Sequence, residues 1–152
     1  MWPRITKNIQ LAALEQGGHM LIAHNMLLVH LVIAVALVEF LFFGFAVGKA
    51  RETYSVKAPA TTGNEMFERY FRVQMNTLEQ LIVFIPGILL FALYVDTRIA
   101  AALGLVYLIG RAWYFKAYVR DPSKRSWGFA LSFLPVIILL LGGLIGAALR
   151  FR

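Results

Sequence analysis

The 152-residue sequence contains no cysteine, so any thiol chemistry it takes part in must use a thiol brought by another molecule. Histidine is nearly as scarce. His19, His24 and His30 are spaced five and six apart, which misses the three-or-four spacing that sets two imidazoles on one helical face, and no metal site is expected. Acidic residues are few, eight against fifteen Lys and Arg, leaving a net charge of +7. There is no internal repeat, no sign of broken helices and no second domain, which counts against a small transporter built from paired halves.

What is plentiful is apolar. Hydrophobic residues make up 60% of the chain, more than a soluble domain of this size can hide, so the sequence reads as an integral, multi-pass membrane protein. Four apolar stretches stand out, Met26 to Val47, Leu81 to Val95, Ile99 to Ile109 and Phe129 to Leu149. They are continuous rather than alternating with a period of two, which selects helices over a barrel. The first begins too late, runs too long and lacks a small-residue cleavage site for a signal peptide. With their polar entry turns the stretches predict spans at about 21–48, 67–95, 98–119 and 127–149, in one domain over 1–152. Residues 1–20 form a mixed tail suited to the membrane interface. The segment from Ala50 to Met66 is rich in Thr, Pro and Gly and reads as an irregular loop. The other connections, at Asp96 and Thr97 and at "RDPSKRSWG", are short, so neighbouring spans run antiparallel in an all-α, up-down four-helix bundle.

Charge sets the expected orientation. Lys49, Arg51, Lys57, Arg69 and Arg72 flank the first loop, and Arg111, Lys116, Arg120, Lys124 and Arg125 the third, against Arg4, Lys7, Arg98, Arg150 and Arg152 opposite. Loops one and three should therefore be cytoplasmic, in the inner membrane if the cell is bacterial. Basic residues at that face orient the chain and touch anionic headgroups, so the positive charge requires no nucleic acid. Glu39 lies deep in the first span, where a carboxylate is expected to be paired, protonated or turned inward. A proton relay would need further titratable groups, and spans three and four carry no second acid at that depth.

Two polar stripes enter the membrane at the same face. Arg69, Arg72, Asn76 and Glu79 share one side of the second span, and Tyr107, Arg111, Tyr114 and Tyr118 one side of the third. Snorkelling and aromatic-belt roles account for Lys116, Arg120 and Arg69, but they leave Asn76 and Glu79 without a reason to lie deeper. Several arginines beside one glutamate suit a ligand with several carboxylates and one ammonium, while Asn, Gln and Tyr suit amides; a small charged peptide fits.

"FERYFRVQMNTLEQ" and, one loop later, "GLVYLIGRAWYFKAYVRDPSKRS" resemble the MAPEG superfamily, the membrane-associated proteins of eicosanoid and glutathione metabolism, in its leukotriene-C synthase and microsomal glutathione transferase branch. The matching part runs from about Arg51 to Ser126 and combines an Arg in the first loop, R-x-Q-x-N-x-x-E, and R-x-x-Y-x-x-x-Y with an Arg seven residues on. The resemblance implies a homotrimer that binds glutathione between subunits, with no metal, and acts on a lipophilic substrate delivered by membrane lipid. It implies that Arg72, Asn76, Glu79, Tyr114 and Tyr118, with Arg111 in the same stripe, hold glutathione, and that Arg51 and Gln74 reach it from an adjoining subunit. Arg125 matches the arginine assigned to the thiol, and Ser126 a serine proposed to assist in the prostaglandin-E-synthase branch. Gln80 departs from the pattern, standing where a tyrosine is usual. The implied activity is a glutathione transferase or peroxidase. A non-catalytic lipid-presenting protein of the same fold and a glutathione-dependent isomerase are the alternatives.

Overall fold

The computed structural model describes the backbone of residues 2–150 and the side chains of residues 26–150. His19, His24 and the proposed interfacial role of the tail lie outside the described side chains, whereas His30 is exposed. Four helices follow one another: α1, Trp2–Thr53; α2, Glu65–Tyr94; α3, Thr97–Arg120; and, after a 3-10 turn at Pro122–Arg125, α4, Ser126–Arg150. Four stretches, Met26–Thr53, Glu65–Tyr94, Thr97–Arg120 and Pro122–Arg150, are long and apolar enough to cross a bilayer, since about 20 residues of helix match its hydrocarbon core. The chain is an all-helical, multi-pass integral membrane protein.

The helix ends are written in single residues. Asn64 caps α2 by accepting from the backbone N–H groups of Met66 (2.9 Å) and Phe67 (3.2 Å). Asp96 does the same for α3 at Arg98 and Ile99, both 2.8 Å. Each satisfies donors that a helix start leaves free. Because α1 continues to Thr53 and α2 restarts at Glu65, the irregular first connection is shorter than its composition indicates: the Asn64 cap turns Glu65 and Met66 into helix.

Both α1 and α4 pack against α2 and α3. Val32 and Ala36 of α1, Phe84 and Ile88 of α2, Tyr107 of α3 and Leu139 of α4 meet in the main core. Leu41, Phe45, Ile82, Ile109 and Leu144 point outward, which is favourable in lipid. Since lipid tails are as apolar as these side chains, association depends on close packing. The α3–α4 seam is built that way. A Cβ on Gly110 would stand 2.5 Å from the Ser132 nitrogen, and one on Gly128 2.5 Å from the Tyr114 nitrogen. Alanine at either position would push the two backbones apart.

Candidate functional site

Arg69 fixes where α2 meets α3. Its Nη1 donates to the carbonyls of Val119 (3.1 Å) and Arg120 (3.2 Å), and its Nη2 to Glu65 Oε1 at 2.5 Å. It therefore satisfies carbonyls that the end of α3 leaves free, which accounts for it without a ligand. The clamp brings the next turns of α2 beside the last turns of α3. There Asn76 Nδ2 donates to Tyr114 Oη at 2.6 Å.

The third wall is the 3-10 turn. Pro122 opens it, and Asp121 organises it, its Oδ1 accepting from Ser123 N (3.0 Å) and Ser123 Oγ (2.7 Å) while Lys124 Nζ lies 3.6 Å from Oδ2. Hydrogen bonds from the Ser123 side chain and backbone hold the Asp121 carboxyl below its ordinary range. This turn carries Arg125, whose guanidinium lies 5.6 Å from the Tyr118 ring centre.

A cavity of about 490 Å³ opens where the three walls meet, bounded by Arg72 and Asn76 from α2, Tyr114 and Tyr118 from α3, Arg125 from the turn, and Ser126 and Phe129 from α4. That size suits a small organic ligand. Its lining holds two guanidinium groups, an amide and three hydroxyls, and no carboxylate. Such a set is built to receive an anion with amide groups. Phe129 was not singled out from the sequence. Its signal is its place three residues after Ser126, one turn along the same face of α4.

Four of the expected residues lie outside this cavity. Arg111 is fully buried. It donates through Nη2 to Thr77 Oγ1 (2.5 Å) and, at 3.5 Å, to the Val73 carbonyl, and lies over the Tyr114 ring at 4.3 Å. Both bonds run to α2 inside the bundle, so this part of the α3 stripe faces α2 and not the cavity. Gln74 points at α1, its Nε2 3.1 Å from where a Cβ on Gly44 would stand. Arg51 is held by the first loop, donating to Ala60 O (2.7 Å) and Val56 O (3.4 Å) with its guanidinium over Phe67. Glu79 continues the Arg72–Asn76 stripe one turn deeper, but is exposed on the outside of the chain and in no salt bridge among the described residues.

Two other polar residues of interest turn away. Gln80 is buried, and neither of its amide atoms has a hydrogen-bond partner among the described residues; it does not border the cavity. Glu39, half-buried, lines an apolar groove of about 750 Å³ between α1 and α3 with Phe42, Phe43 and Leu108.

Comparison with known proteins gives one consistent result. Residues 27–145 match the model of the MAPEG family. The "Uncharacterized protein sll1147" of Synechocystis sp. is 49% identical over 122 residues, covering 80% of this chain and 89% of that protein. Microsomal glutathione S-transferase 2 of Homo sapiens is 42% identical over 110 residues, covering 72% of this chain and 75% of its own. Leukotriene C4 synthase of Bos taurus is 36% identical over 84 residues, 55% of this chain and 56% of its own.

Proposed function

This chain belongs to the MAPEG family, and on that premise we propose that it is a membrane glutathione transferase that activates glutathione as a thiolate toward lipophilic electrophiles or lipid hydroperoxides. The observation that carries the reading is the single cavity bounded by Arg72, Asn76, Tyr114, Tyr118, Arg125 and Ser126. Relatives named as a glutathione S-transferase and a leukotriene C4 synthase support it.

The donor set fits the tripeptide. The fork of Arg72 suits a carboxylate, and Asn76, Tyr114 and Tyr118 suit the peptide amides. Glu79, on the same side of α2, receives the ammonium. Arg125 is left for the sulfur, because it enters from the turn rather than from the two helices that grip the peptide. No carboxylate in the lining competes for it. Bound glutathione supplies the thiol, whose thiolate forms a carbon–sulfur bond to the electrophilic carbon as that carbon's leaving group departs with its bonding electron pair. Toward a hydroperoxide it attacks the terminal oxygen, the O–O bond breaks to release an alcohol, and a second glutathione reduces the resulting sulfenic acid to the disulfide and water. Favouring that anion a hundredfold requires about 2.7 kcal/mol, within reach of a guanidinium in a partly desolvated site. Ser126, next in the chain, adds a hydroxyl at the same wall.

The assembly is part of the proposal. A carboxylate on the outer face of a membrane helix is costly in lipid, and Glu79 is exposed there in a single subunit. A neighbouring subunit in a homotrimer covers it, and Arg51 and Gln74, which face away from their own cavity, serve the adjoining one. The cavity then lies at the cytoplasmic face, where the basic loops belong. Mixing Arg51→Ala with Arg125→Ala subunits should restore activity in mixed trimers; a mixture no more active than its parts refutes shared sites.

The direct test is to purify the protein in detergent, add glutathione, follow thiolate absorbance, and assay with a chloronitrobenzene and a hydroperoxide. A thiolate band with turnover of either acceptor supports the reading. Absence of both moves the protein to a lipid-presenting role.

A further inference from the structure

A second, larger cavity, of about 890 Å³, opens on a neighbouring face of α3, between its last turns, the 3-10 turn and the start of α4. It shares only Ser126 with the candidate site. Three cations border it, Lys116 and Arg120 from α3 and Lys124 from the turn, with two indoles, Trp113 and Trp127, on its walls. We propose that this groove is a binding site for the headgroup of an anionic membrane phospholipid, with an acyl chain lying against the tryptophans.

Charge is the first reason. Lys116 and Arg120 stand one helical turn apart, where like charges oppose each other, and neither forms a salt bridge among the described residues. The groove's one carboxylate, Asp121, is spent on its own turn, accepting from Ser123 and facing Lys124. A phosphate monoanion would relieve the opposition and accept from both cations at once.

Depth is the second reason. The groove sits where the span Thr97–Arg120 ends and Pro122–Arg150 begins, the level at which headgroups meet hydrocarbon. Trp113 and Trp127 are 54% and 78% exposed, so neither is held by the protein core. Indoles belong at that level, apolar body toward the acyl chains and N–H toward the headgroups. Cations alone would describe diffuse attraction to a charged membrane. Three cations and two indoles around one concavity describe a seat for one lipid.

The experiment uses the full-length protein with Trp2→Phe, so that its fluorescence comes from Trp113 and Trp127, in phosphatidylcholine nanodiscs doped with brominated phosphatidylglycerol or, at equal mole fraction, brominated phosphatidylcholine. The anionic lipid should quench at a roughly thirtyfold lower mole fraction, from the attraction of two near-surface cations. Lys116→Gln with Arg120→Gln should abolish that difference, and Lys124→Gln, on an exposed turn where folding is not at stake, should reduce it. Lys49→Gln with Lys57→Gln, basic residues outside the groove, should keep it. Equal quenching by the two lipids overturns the proposal. So does an equal loss in the Lys49 and Lys57 variant, which would mean diffuse attraction, or excess quenching only by a brominated free fatty acid, which would assign the groove to a substrate. None of these outcomes depends on glutathione chemistry.

Discussion

Arg111 and Arg125 invite comparison, because both belong to the same basic end of the third span and both were expected at the ligand. One is fully buried, bonded to Thr77 and Val73 of α2 and laid over Tyr114. The other is exposed on a 3-10 turn, above Tyr118, at the edge of the cavity. The guanidinium group is the same; what surrounds it differs. A buried arginine bonded through Nη2 to the helix beside it ties α3 to α2, whereas one at an open rim has donors to offer a ligand.

The largest effect is expected at Arg111, on stability. Arg111→Ala should lower stability by about 2 to 4 kcal/mol, through the cavity left behind and the lost hydrogen bonds to Thr77 and Val73. Arg111→Met, which keeps the volume without the charge, should cost much less. Thermal unfolding in detergent measures both, and an Ala variant that melts with the wild type would remove Arg111 from this role.

Arg125 should show the reverse. Arg125→Ala should leave the melting temperature unchanged and glutathione affinity within a few-fold, while turnover falls about a hundredfold, the scale of losing one preorganised donor to a developing anion. The pKa of the bound thiol should rise toward its free value, and Arg125→Lys should recover only part, keeping the charge without the planar fork. A thiolate absorbance titration of the three proteins checks this; retained activity with an unmoved thiol would favour the lipid-presenting reading.

Glu79 sharpens the division between gripping the peptide and acting on sulfur. Glu79→Gln should weaken glutathione binding by roughly ten- to a hundredfold, the loss of a charge-assisted hydrogen bond, with the thiol pKa unchanged. Calorimetric titration decides it, and equal affinities would remove Glu79 from the site.

The smallest effect is expected at Asp121. Its carboxyl, held low by Ser123, contributes order to the turn that is fully present above the ordinary aspartate range, near pH 4. That order is lost as pH falls through the lower folded value. Asp121→Ala should therefore lower turnover a few-fold at neutral pH, by loosening the turn that presents Arg125. It should also remove a weak decline in turnover at the acid end of the wild-type profile.

How much of this was legible in sequence depends on what the signal measures. Continuous apolar runs report membrane length, and the four helices follow from them. The first connection looks longer in sequence than it is, because Glu65 and Met66 resemble loop until Asn64 caps them. In the site, the three-and-four spacing placed Arg72 with Asn76, and Tyr114 with Tyr118, and the cavity brings all four together. Spacing says which residues share a face, not what covers it. Along α3 the stripe is taken up by α2 at Arg111, which bonds to Thr77 and Val73, and borders the cavity at Tyr114 and Tyr118. What Arg111 meets is a property of another helix, invisible in the stripe itself.

The contact of Gly128 with the backbone of Tyr114 bears on how this cavity could be remade. Because main chain rests on main chain there, the width of the opening is set by the course of two helices and not by the side chains at its edge. Phe129 or Ser126 could be exchanged in a mutant library to alter what is admitted while the frame stays put. A methyl group at Gly128 would widen the doorway itself, for every visitor alike.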